Sequence, residues 1–150
     1  MKAPRVPALV AMILAATSAS GTAQSMSAEL TIEVPLNLTK LPAELTIIQL
    51  SCSITSDAIV TSPDHTEHGE QVLNVTGGQL VTTAALVFRF SGLENPVGKS
   101  AFVKCDLSGA TASAPTQYVY LSPTATNPIF RVSIPGDGSG LTTLYQFVWQ

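Results

Sequence analysis

Apolar and polar residues alternate along most of this chain. Over residues 29–39, Leu30, Ile32, Val34, Leu36 and Leu38 take one side, and Thr31, Glu33, Pro35, Asn37 and Thr39 the other. Period two over this length predicts a strand with one buried face. Pro35 has no N–H, which places the strand at a sheet edge or gives it a bulge, and Pro42 closes it. Residues 45–54 set Ile48, Leu50, Cys52 and Ile54 against Gln49, Ser51 and Ser53, with a slip at Ile47-Ile48 that a bulge absorbs. A polar stretch, 61–70, follows. Residues 72–76 and 80–83 flank Gly77-Gly78, a pair that favours a tight hairpin. The second arm stays in phase through Leu86, Phe88 and Phe90.

After a turn-rich link from Ser91-Gly92 to Gly98, Ala101, Val103, Cys105 and Leu107 share a face. Phe102 falls on the polar side. Residues 108–115 are small and read as a flexible connection. Residues 117–121, 129–134 and 144–149 supply three further strands, with Pro- and Gly-rich links between them. Seven to eight short strands, no convincing helix and no repeat predict an all-β antiparallel sandwich or barrel.

The N-terminus changes the setting. Lys2 and Arg5 precede an apolar run over residues 6–16, and Gly21-Thr22-Ala23 has the small-x-small form of a signal peptidase site. The run is shorter than the roughly 20 residues a membrane helix needs, and no later stretch is longer. The expectation is a removable signal over 1–23 and a single domain over 24–150, exported to the periplasm or cell exterior, with a bacterial style of signal. The mature part keeps five basic residues against all ten acidic ones, a formal charge of −5. Nothing basic clusters, which argues against a nucleic-acid surface. With 45% hydrophobic and 11% charged residues the chain can bury a core.

Cys52 and Cys105 are the two cysteines of the chain, and each sits on the apolar face of its segment. Export makes a disulfide between them the expectation, buried and linking two facing sheets. Leu50-Ser51-Cys52 and Ala101-Phe102-Val103-Lys104-Cys105 resemble strands B and F of an immunoglobulin-like sandwich. That resemblance implies a seven- to eight-stranded sandwich whose disulfide crosses the core. Val103 stands where that family carries a tyrosine, and the tryptophan, Trp149, lies in the last strand instead of after the first cysteine.

Candidate chemistry is sparse. Both histidines, His65 and His68, fall within residues 64–70 beside Asp64, Glu67 and Glu70. Imidazole and carboxylate ligands suit Zn²⁺ or Cu²⁺ if a bent loop turns them together. Serines are many, but a nucleophile, its base and an orienting group are not recognisable as a set. No enzyme and no cofactor are therefore expected. Asn37-Leu38-Thr39 and Asn74-Val75-Thr76 match the glycosylation tripeptide, idle in a bacterial chain. Tyr145, Phe147 and Trp149 alternate near the C-terminus, either packing in the core or forming an exposed ridge on a candidate partner strand, and the segment also resembles the closing strand of an outer-membrane barrel.

Three functions follow as expectations. The first is a non-enzymatic envelope module acting through a protein partner, by strand addition at an edge. The second is a periplasmic metal-binding protein using the 64–70 loop. The third is a small outer-membrane β-barrel.

Overall fold

The computed structural model describes residues 10–13, 25–132 and 143–150. Eight strands run in chain order: β1 (Val10–Ile13), β2 (Ser25–Leu38), β3 (Leu45–Thr55), β4 (Thr66–Asn74), β5 (Leu80–Glu94), β6 (Ser100–Thr111), β7 (Ala114–Tyr120) and β8 (Thr143–Val148). They form two antiparallel sheets. One has the order β1-β2-β5; the other runs β4-β3-β6-β7, with β8 also on β6. All the register pairs between these strands are antiparallel.

The period-two pattern decides which face is buried. On β2, Leu30, Ile32, Val34, Leu36 and Leu38 are buried, as are Ala84, Leu86, Phe88 and Phe90 on β5. They pack against Ile48, Leu50, Ile54, Val103 and Leu107 of the other sheet in one continuous core. The strands divide into two sheets around that core, so the described residues do not close into the single ring of an outer-membrane barrel. No helix among them is long and apolar enough to cross a membrane. Pro35 pairs in register with Thr83 without interruption. A proline keeps such a ladder when its missing donor lies on the other side of the strand.

Local irregularities match chain chemistry. The β3–β6 register shifts between Leu45 and Ile47, as the phase slip at Ile47-Ile48 requires. On β5 the buried phase steps from Phe90 to Leu93 where the register with β2 shifts between Met26 and Ala28. Gly77 and Gly78 have φ of 62° and 71°, and Thr76 bridges Gln79 across them. The tight turn is present, but its arms part. β4 pairs with β3 in one sheet while β5 pairs with β2 in the other, so the link joins sheets and not a hairpin.

Three further expectations are corrected. Residues 108–111 continue β6 as strand, and β7 starts by Ala114, so the flexible connection reduces to a short turn. In the described part of the strand expected over 129–134, Ile129 and Phe130 belong to a 3-10 turn, Pro128–Phe130, and Arg131 makes an isolated parallel bridge with Ser122. Pro128 presets φ at its start and the Asn127 side chain accepts from the Ile129 N–H, which together favour a helical turn over extension. Residues 133 and 134 lie outside the described residues.

The third correction concerns the cysteines. Cys52 and Cys105 are joined, with Cα atoms 4.0 Å apart. They are direct cross-strand partners of β3 and β6 within one sheet, not on facing sheets. Phasing showed that both sulfurs point to the core, and both are buried. Two neighbours in one sheet satisfy that condition as well as two facing strands do. A disulfide marks a chain that matures in an oxidising environment.

Candidate functional site

The 64–70 segment splits between a loop and β4. His65 has φ of 55°, a left-handed conformation, and its Nδ1 lies 2.6 Å from the Ile59 carbonyl oxygen. His68 is on β4 opposite Ser53. Glu67 accepts from the Thr61 hydroxyl at 3.1 Å, and Glu70 accepts from the Gln49 amide at 2.8 Å. Asp64 accepts from the Ser62 hydroxyl, which holds its carboxyl below the ordinary value, helped by backbone N–H groups and the neighbouring His68. Among the described residues, no three His, Cys, Asp or Glu side chains gather as a ligand set. His65 is turned back on its own loop, so the expected convergence of His65 with His68, Asp64 and Glu67 does not occur. Zn²⁺ or Cu²⁺ titrated into the protein should give no saturable binding by calorimetry. A saturable isotherm lost in His65→Ala/His68→Ala would reverse this assignment.

Trp149 is built into the core, and Phe147, partly buried, packs against it. β8 pairs with the first half of β6, placing Phe147 opposite Ala101 and Tyr145 opposite Val103. Trp149 is 2% exposed. Its ring meets Phe90 of the opposite sheet edge-on at 5.4 Å and Phe147 at 5.0 Å. Its indole N–H donates to the Ser56 hydroxyl at 3.1 Å, and that hydroxyl donates to the Ser100 carbonyl at 2.8 Å. Trp149 is therefore an anchor between sheets and not a ridge offered to a partner.

Surface features lie elsewhere. β7 is half-exposed at Ala114 and exposed from Pro115 onward, including Tyr118, Val119 and Tyr120. Tyr118 and Tyr120 rim a shallow depression of about 210 Å³ on the outer face of the five-stranded sheet. Its floor is polar, from Gln49, Ser51, Glu70, Asp106 and Ser108. Neither tyrosine stood out in the sequence. The sign was there in residues 117–121, where tyrosine holds the alternate positions 118 and 120.

Among the described residues the three-stranded sheet leaves two edges accessible, the outer side of β5, apart from an isolated bridge at Leu93, and the outer side of β2. One side of β2 pairs with β5 from Ser25 to Leu38. Among the described residues its other side meets β1, at residues 29–32. An edge of this kind presents a row of N–H and C=O groups to any extended chain. The chain matches no known family model, no curated protein and no solved structure.

Proposed function

We propose that this chain is an exported, non-enzymatic β-sandwich module, broadly immunoglobulin-like, that acts by protein–protein contact in the cell envelope. Its signal occupies residues 1–23, and the mature domain, 24–150, works in the periplasm or outside the cell. The observation that carries the reading is the pair of sheet edges left open among the described residues, β5 on its outer side and β2 on its outer side beyond residues 29–32. Support also comes from the buried disulfide, which suits an oxidising compartment. A stapled, rigid scaffold with accessible edges binds partners by adding a strand, and main-chain hydrogen bonds then supply affinity. The exposed aromatic stretch of β7 is a second surface of the type that partners use.

Site-specific photocrosslinking in cells tests this. A photoreactive residue placed at Glu33 on β2, at Tyr120 on β7 or at Val148 on β8 should give a discrete crosslinked band in the envelope fraction from at least one site. The same residue at Lys40 serves as the background control. Crosslinks no stronger than that control at all three sites would reject the contact reading.

A further inference from the structure

We propose that the outer face of the five-stranded sheet binds a neutral saccharide, laid across the strands with one sugar ring stacked on Tyr118 and Tyr120. This site lies on a sheet face, apart from the β2 and β5 edges that carry the contact reading.

The register assembles the site. Glu70 stands opposite Ser51, and Ser51 opposite Asp106, so these three share one face in a single row across β4, β3 and β6. In the next row Gln49 stands opposite Ser108, and Ser108 opposite Tyr120. Both rows, with Tyr118, line the depression of about 210 Å³. Side-chain bonds running across the sheet hold its floor in place. The Ser108 hydroxyl donates to the Gln49 side-chain oxygen at 3.4 Å, and the Gln49 amide donates to Glu70 at 2.8 Å. Lys104 pairs with Asp106 at 3.2 Å. A floor already oriented in this way loses little freedom on binding. Beside it Tyr118 and Tyr120 are 37% and 72% exposed.

The chemistry of these groups selects the ligand. A sugar ring has apolar C–H faces and a rim of hydroxyls. The faces suit exposed tyrosine rings, and the hydroxyls donate to carboxylate oxygens in charge-assisted bonds. Glu70 and Asp106 disfavour an anionic chain. Their backbone positions are two strand spacings apart, about 10 Å. That is too far for one ammonium group to bridge and within the span of two linked sugar rings. Tyr118 and Tyr120 alternate along a single strand, side by side, and do not surround a cation as an aromatic cage does. A peptide is poorly served here. β3 and β6 are paired on both sides, so the floor has no main-chain ladder to extend, and its polar groups are the wrong seat for an apolar anchor.

The test titrates cellotetraose, maltotetraose and N-acetylchitotetraose separately into the isotope-labelled, oxidised full chain and follows backbone amides by NMR. Saturable shifts are expected with at least one of them, centred on Gln49, Ser51, Ser108 and Tyr120. Tyr118→Ala/Tyr120→Ala should weaken that binding about tenfold or more, with the amide spectrum elsewhere unchanged, while Tyr120→Phe should hold it within about threefold. No saturable shift from any of the three, or equal binding by the double alanine variant, would overturn the assignment. Tighter binding of tetramethylammonium would overturn it in favour of a cation site, and tighter binding of an alginate tetrasaccharide in favour of an anion site. A protein crosslinked from position 120 in cells that excess saccharide does not displace would give the face to a peptide partner instead. Crosslinks from Glu33 and Val148 bear on the contact reading alone.

Discussion

Replacing Cys52 or Cys105 with serine should lower the stability of the protein by about 2–5 kcal/mol. The bond closes a loop with a sequence separation of 53, worth about 4 kcal/mol in the chain-entropy model. That is a large share of the roughly 5–15 kcal/mol that holds a typical domain together. Because the cysteines face each other across β3 and β6, the bridge reinforces a register that the ladder already specifies. The folded state should therefore survive its loss, with native near-UV dichroism and the same strand pairing. The change belongs to the unfolded state, which expands when the link is gone. Urea titration should show a lower midpoint and a steeper dependence on denaturant, since more surface is exposed on unfolding. Serine also leaves a buried hydroxyl at positions 1–2% exposed, so the Cys52→Ala/Cys105→Ala pair is the cleaner comparison. A midpoint unchanged from the oxidised wild type, in both serine and alanine variants, would show that the bridge carries no stability.

Strand identity was legible because burial in this fold alternates without exception over long runs. β2, β5 and the first half of β6 each show it, so spacing of the Leu30–Leu38 type located them, although β2 starts earlier, at Ser25, and β5 runs on to Glu94 through residues expected as a link. Pairing was not legible. Period two reports which face a residue takes and says nothing of which strand lies beside it. That single degeneracy misplaced the disulfide between sheets and turned the Gly77-Gly78 link into a hairpin. β4 was half-missed for a different reason. At the sheet edge it buries none of its residues fully, so Thr66–Asn74 carries little apolar contrast. The metal loop was a proximity in sequence that β4 itself undoes, because His68 sits in a strand while His65 precedes it in a left-handed turn. β1 could not be anticipated, since an apolar run near an N-terminus reads as an export signal whatever it later pairs with.

Trp149→Ala should cost about 3–5 kcal/mol, the range for truncating a buried large aromatic. Trp149 lies outside the last ladder, yet it joins both sheets through Phe90 and Phe147. Its backbone is fixed on both sides, by its N–H to the Lys99 carbonyl at 3.0 Å and by its carbonyl accepting from the Gly98 N–H at 2.8 Å. The surrounding wall thus has little freedom to collapse into the space left behind, which places the cost toward the upper end. The indole N–H adds a smaller part. Ser56 would keep its bond to the Ser100 carbonyl and the contact from the Ala58 N–H at 3.3 Å, so losing the indole donor should cost about 1 kcal/mol. Trp149→Phe isolates that part, retaining much of the ring packing. Trp149 is the sole tryptophan of the chain, so its fluorescence follows unfolding of the wild type, while the variants are followed by far-UV dichroism in urea. A loss under 1 kcal/mol in Trp149→Ala would mean that the ring is not the anchor between sheets. A Trp149→Phe loss as large as that of alanine would instead move the weight from packing to the Ser56 hydrogen bond.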